Sequence, residues 1–418
     1  MKLLFLVILL NSLLFAQENT IIREFDLEKS IYYAQLNRKE ILLVKSDIEL
    51  AKERINEASS YIYPKIDLIF NYSQLNTNNY MVLPLSFSSI FLPKEFYKYY
   101  FTRLSLWQYI YSGGIYSSNL DLAKSNLEKT QTQLIVVNNN VEFEVKKDFY
   151  TLLSLQNKKE IYEIIISSIN LIKIDEHTID SNLVKIKNIK FNIEDKYKLL
   201  IQEYKQSQLK FLNTLGLELN TLFKINGKLE PKINEYDINK LLVWAFVYRP
   251  EPKQIQLQER IDSLGIKLSI ASRYPTVSLG ANYEFTGEEI SFIKPNWNAT
   301  LNFNLPIFDG WASWSRIRQK NIQVQQNKLQ RKDIEDIIRL EVRKAYNDYI
   351  SSIDRVKDYK DKVLNFEGLF DSIDKKDILF LITWYDSYLD FKIKYIDAIL
   401  NNIISFSSLE HAVGKSLD

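Results

Sequence analysis

The sequence predicts a mixed fold, membrane β-barrel strands joined to very long helices, built from one unit that occurs twice. Three observations predict it. A strand-to-helix junction, LSLWQYIYSGGIYSSNLDLAKSNLE in residues 104–128, recurs as LNFNLPIFDGWASWSRIRQKNIQ from Leu301, shifted by 197 positions. Each junction closes a hairpin whose residues alternate apolar and polar with a period of two. Each junction also opens a long stretch with an apolar stripe at helical spacing and no proline.

Composition bounds the function. The chain has 418 residues, 46% hydrophobic and 25% charged, with a formal net charge of +2. So small a net charge argues against an electrostatic nucleic-acid partner, which calls for a basic excess. Residues 1–16 pair Lys2 with an apolar run and Ala16, the pattern of a secretory signal peptide cut after Ala16. Gln17 rather than cysteine follows the cut, so no lipid attachment is expected there. No later run of about 18 apolar residues predicts a membrane helix. With no cysteine in the chain, disulfides are excluded.

The first repeat, residues 17–229, opens with a helix from Asp26 to Ala58 and a hairpin over about 61–111. The second, residues 230–418, matches its opening at a shift of 211: Asp26 meets Asp237, Ala34 meets Ala245, Arg38 meets Arg249, and Tyr63-Pro64 meets Tyr274-Pro275. Its hairpin is expected over about 274–308. The first hairpin loop is longer and contains the apolar segment Met81–Leu92.

In Asn298–Phe308, Leu301, Phe303 and Leu305 share one face with Ala299 and Ile307, while Asn298, Thr300, Asn302 and Asn304 share the other. A row of asparagines is a poor interior for a soluble sandwich. It suits a wet barrel lumen, with the apolar row facing lipid. Aromatics cluster near the strand ends (Tyr97, Tyr99, Tyr100, Trp107, Tyr109 and Tyr111, then Trp297, Phe308, Trp311 and Trp314), as interface girdles do. Four strands cannot close a barrel, and open edges are not tolerated in lipid, so several copies must share one. Gly113, Gly114 and Gly310 supply the strand-to-helix corners.

From Ile115 to about Val184 there is neither proline nor glycine, and Val137, Val141, Val145, Phe149 and Leu152 form a stripe. At a shift of 197 the stripe becomes Ile334, Ile338, Val342, Tyr346 and Tyr349. Roughly 70 residues of helix span on the order of 105 Å. A return helix is expected after turns near Val184–Asn192 and Leu381–Ser387, with Gly216 and Gly414 as C-terminal stops. Gly368 interrupts the second rod.

The duplicated order of helix, Tyr-Pro strand, hairpin, glycine corner and two long helices resembles the TolC family of outer-membrane factors. The resemblance covers essentially the whole chain after the signal peptide. It is carried by Ala34–Arg38 and Ala245–Arg249, by the corners at Ser112-Gly113-Gly114 and Asp309-Gly310, and by Ser387 to Phe391. Asn188 departs from it, standing where the family often has glycine. The resemblance implies a homotrimer with four strands per chain in a shared twelve-stranded barrel, set in the bacterial outer membrane above an α-helical barrel in the periplasm. It implies an exit duct that passively conducts substrates when docked to a periplasmic adaptor and an inner-membrane transporter. An alternative within the family is the outer-membrane component of type I protein secretion. A coiled-coil structural protein of the envelope is the more distant one, set apart by needing no detergent and forming no heat-modifiable oligomer.

Catalytic and metal sites are not expected, and no cofactor is implied. The two histidines, His177 and His411, form no paired motif, and phosphate-loop and nucleophile-elbow patterns are absent. His177 is expected on a helix near the first turn, and the charged runs Lys185–Lys190 and Asp374–Asp377 at solvated helix ends. Val184, Asn188 and Ser387 are the candidate adaptor-contact turns. Glu194, Asp195, Asp386 and Asp390 are the candidate periplasmic gate, since the resemblance implies an entrance narrowed by polar and acidic residues.

Overall fold

A computed structural model describes residues 23–76, 96–172, 181–287, 292–293, 295–370 and 377–417. The expected signal peptide, the Met81–Leu92 segment, His177 and Asp374 lie outside the described residues. In order, the elements are β1 (Arg23–Phe25), α1 (Leu27–Asn37), α2 (Lys39–Ser60), β2 (Lys65–Asn76), β3 (Phe96–Tyr111), α3 (Ile115–Leu171) and α4 (Ser181–Leu215). Then follow β4 (Phe223–Ile225), α5 (Ile238–Tyr248), α6 (Glu251–Ala271), β5 (Thr276–Gly287), β6 (Pro295–Asn304), α7 (Ala312–Leu369) and α8 (Ile378–Val413).

The chain forms two compact units, and each takes segments from both repeats. One unit comprises the described parts of residues 1–46, 132–254 and 331–418; the other comprises those of 47–131 and 255–330.

The helical unit holds two cores that mirror each other. Phe25, Ala34, Val141, Val145, Phe149, Leu152, Phe211 and Leu215 build the first. Ala245, Ile338, Val342, Tyr349, Leu409 and Val413 build the second. Four of the five stripe positions of α3 are buried, at 2% exposure or less, because their spacing puts them on one helical face. The short helices start alike: Asp26 accepts from Lys29 N at 2.7 Å, and Asp237 accepts from Asn239 N at 2.9 Å. α4 and α8 end on Gly216 and Gly414, at φ 69° and 75°, the left-handed stops expected there. A small parallel pair, β1 with β4, adds Phe25 and Ile225 to the first core.

The turns are not where the sequence placed them. Val184 and Asn188 lie within α4, and Ser387 lies within α8. The reason is burial at helical spacing. Ile186 and Ile193, on α4, pack with Ile165, Ile169, Ile382 and Leu389, and that face keeps the chain helical straight through the expected turn. α8 begins at Ile378 because Asp377 caps it, accepting from Phe380 N at 3.0 Å. α3 and α7 are 57 and 58 residues long, shorter than the expected 70. Gly368 does not interrupt α7; it falls in the last turn, where a helix ends at little cost.

The second unit contains one four-stranded antiparallel sheet, ordered β2-β3-β5-β6, so the two hairpins lie side by side. β6 ends at Asn304 rather than Phe308. Its last partner is Thr276, the first residue of β5, and Pro306 has no N–H to give.

Candidate functional site

The register sorts the sheet into two faces. On one, Ile66, Leu106, Ala281 and Ala299 form a row across all four strands, and Leu68, Leu104, Tyr283 and Trp297 form the next. Leu301 and Phe303 continue this face opposite Leu279 and Val277. Among the described residues nothing covers its most exposed members: Leu68 is 73% exposed, Trp297 75%, Leu301 68% and Phe303 66%. Leu305 and Ile307, beyond the strand, are exposed as well.

The other face is mostly polar and internally bonded, although Ile69, Phe101, Trp107 and Tyr109 also fall on it. Asp67, Ser105, Asn282 and Asn298 form a row, with Asn282 Nδ2 donating to Asn298 Oδ1 at 2.8 Å. Beside it Arg103 Nε donates to Glu284 at 2.7 Å, a cross-strand pair that the sequence reading missed. Only the register, which opposes Arg103 to Glu284, reveals it. The outer edges of β2 and β6 have no strand partner among the described residues.

The corners are duplicated in detail. Ser112 Oγ accepts from Tyr116 N at 3.3 Å, and Asp309, at the equivalent position, accepts from Ser313 N at 2.8 Å. Hydrogen bonds from Ser313, first its side chain and then its backbone N–H, hold the Asp309 carboxyl below its ordinary pKa against a small desolvation effect, with help from Arg316. Gly113 and Gly310 both sit at φ 64° and Gly114 at φ 86°, angles that favour glycine. The fourth position is Trp311, a non-glycine at φ 65°.

A second duplicated constellation joins the helices, and the sequence reading saw only its arginines. Arg38, after α1, pairs with Glu144 at 2.6 Å and Glu40 at 3.3 Å, and donates to Thr214 O at 3.4 Å. Arg249, after α5, pairs with Glu341 at 2.5 Å and Glu251 at 2.7 Å, and donates to Ala412 O at 3.3 Å. All four positions correspond between the repeats, so each arginine ties a short helix to both long ones. Burial works against the charge on Arg249, but its two carboxylates outweigh it and raise its pKa. Arg249→Gln is expected to destabilise the chain by about 2–3 kcal/mol, the loss of charge-assisted hydrogen bonds from a buried donor. Arg38→Gln is expected to lose less, because its side chain is 16% exposed against 7% for Arg249. Denaturant titration of both variants checks the order.

His411, on α8, bonds Asn140 at 2.8 Å and lies against the Phe143 ring, both on α3. Burial, then the nearby Arg249, push its pKa down, while Glu251, Glu341 and Glu142 pull weakly the other way. The imidazole is therefore neutral in the fold, whereas the unfolded chain takes up a proton near the ordinary value of 6.5. The contribution of His411 to stability is expected to be fully present above pH 6.5 and to be lost as the pH drops from there toward the folded-state pKa. Thermal melts across this range check it, and His411→Gln is expected to flatten the slope.

The candidate gate acids are spread along two helices. Asp386 Oδ1 lies 4.0 Å from Lys196 Nζ, which brings α8 to α4 beside Asp195. Asp390 accepts from Lys394 at 2.7 Å on its own helix. Glu194 and Asp195 lie well inside α4, Glu194 half-buried and Asp195 exposed. The four-residue spacing from Asp390 to Lys394 is the sequence signal for this counter-ion, and the sequence reading did not use it.

Among the described residues no helix is long and apolar enough to cross a membrane. By sequence, no family model and no curated protein matches the chain. By structure, it is similar to the Campylobacter jejuni CmeC outer membrane channel, with a TM-score of 0.73 and 15% identity, covering 93% of this chain and 85% of that one. A membrane protein from Pseudomonas aeruginosa gives a TM-score of 0.76 at 14% identity, covering 93% of each chain. The outer membrane protein VceC from Vibrio cholerae gives 0.70 at 11% identity, covering 94% and 97%. The two-hairpin sheet, the glycine corners and the paired long helices thus make up the fold of bacterial outer-membrane channels, the architecture implied by the resemblance to TolC-family factors.

Proposed function

We propose that the chain is an outer-membrane efflux duct that works as a homotrimer. The observation that carries this reading is the sheet: an exposed apolar face, a mostly polar, internally bonded face and two edges without a strand partner among the described residues. A sheet of this kind is stable in lipid only when its edges are closed, and three copies supply twelve strands, enough for an open lumen. The apolar face then meets outer-membrane lipid and the polar face lines the lumen. The long helices extend into the periplasm, where an adaptor protein and an inner-membrane transporter dock. Membrane fractionation followed by electrophoresis with and without heating tests it. An outer-membrane, heat-modifiable trimer that conducts in planar bilayers supports the reading; a monomer released without detergent refutes it.

The acids of α8 are the gate in this reading. Asp390 would bring three carboxylates together around the threefold axis and attract multivalent cations. Because Lys394 now screens each one, the two residues predict opposite effects. Asp390→Asn is expected to weaken block by multivalent cations in single-channel recordings, and Lys394→Gln to strengthen it. If neither changes the block, the acids face away from the pore. Glu194→Gln and Asp195→Asn give the same test for α4.

A further inference from the structure

The duplicated chain contains its own control for what a strand-to-helix corner requires. Arg273, Trp311 and Trp314 surround the second corner; their equivalents at the first are Ile62, Gly114 and Ser117. Both corners fold with a side-chain oxygen cap, Ser112 or Asp309, and a glycine at φ 64°, and the first does so with neither the cation nor the indoles.

Trp311 holds a left-handed backbone, which costs a residue with a side chain about 1–2 kcal/mol, yet the residue is 63% exposed, with its ring edge-on to Phe308. The Arg273 guanidinium lies 4.3 Å from the Trp314 ring centroid. Stacked this way, a guanidinium keeps its edge N–H groups free for an oxyanion. Arg273 makes no side-chain hydrogen bond or ion pair among the described residues, and neither indole N–H has an acceptor there. The only other charged group lining the cleft, Asp309, is already engaged with Arg316 at 3.6 Å and Ser313 N. The cleft holds ≈ 460 Å³, and Ile307 and Phe308, 93% and 74% exposed, form its apolar flank.

We propose that this second corner binds a membrane phospholipid, with the phosphate on Arg273 and the indole N–H groups and an acyl chain along Ile307 and Phe308. The proposal rests on the outer-membrane reading above. The occupant follows from complementarity: unmatched donors and one unneutralised cation beside uncovered apolar surface match a phosphate joined to a hydrocarbon chain. A soluble phosphate ester would leave Ile307 and Phe308 bare. The first corner, with Ile62 in place of the cation, has no such site.

The test is native mass spectrometry of the full chain in detergent, titrated with phosphatidylglycerol and, separately, with diacylglycerol of the same chains. Phosphatidylglycerol is expected to bind about tenfold more tightly, the worth of one charge-assisted contact. Arg273→Gln is expected to erase the difference, and Trp314→Phe, which keeps the ring but removes the N–H, to reduce it. Circular dichroism confirms that each variant is folded. Equal binding of the two lipids, or an unchanged preference in Arg273→Gln, overturns the site. Membrane fractionation of the same variants separates this outcome from failure of the outer-membrane reading, which would appear in the parent protein as well.

Discussion

Gly113→Ala is expected to destabilise the chain strongly, and Gly310→Ala only mildly, although both glycines sit at φ 64°. A side chain at that angle costs about 1–2 kcal/mol at either position. The surroundings separate them. A Cβ on Gly113 would stand 2.7 Å from Tyr274 Cβ and 3.0 Å from Ala271 O, whereas one on Gly310 meets open space. Neither obstacle is the far end of a flexible side chain, so the chain must shift, and overpacking adds about 1–3 kcal/mol. Gly113→Ala is thus expected to lose about 2–5 kcal/mol in all. Thermal unfolding of the single chain in detergent checks it, since in the proposed trimer a second copy would stand beside Gly310 at the free edge of β6; equal losses at the two glycines in the single chain would show that Tyr274 yields.

Leu301→Arg is expected to abolish membrane assembly, while Asn302→Arg assembles. The two residues are neighbours on β6 and face opposite sides of the sheet, Leu301 opposite Leu279 and Asn302 opposite Ser278. In the proposed barrel an arginine at Leu301 points into hydrocarbon, costing about 2–4 kcal/mol per copy near mid-bilayer and less toward the interface. An arginine at Asn302 points into the wet lumen. Phe303 is the milder probe of the same face, because it stands one residue from the end of β6. Outer-membrane yield of the three variants decides the matter, and equal yields of Leu301→Arg and Asn302→Arg refute a lipid-facing sheet.

The sequence by itself determined the elements whose signals are local or duplicated. Alternation in Asn298–Asn304 marked the two faces of β6, and the stripe from Val141 to Leu152 marked the buried face of α3. Both follow from the fixed periods of strand and helix, which need no knowledge of neighbours. Gly113, Gly310, Gly216 and Gly414 were legible because left-handed backbone favours one residue type, and the repeat showed each of them twice.

Tertiary structure decided what depends on partners. Val184 and Leu381 lie inside helices rather than turns, because Ile186, Ile193, Ile382 and Leu389 bury one another and hold their segments helical. β6 stops at Asn304 because β5 begins at Thr276, a limit set by another strand. Arg103 meets Glu284, and Arg249 meets Glu341, across separations of 181 and 92 residues. Asp309, engaged with Arg316 and Ser313, leaves Arg273 as the unmatched charge at the second corner. Periodicity tells which way a side chain faces along its own element, but what it meets there is set by packing between elements distant in sequence.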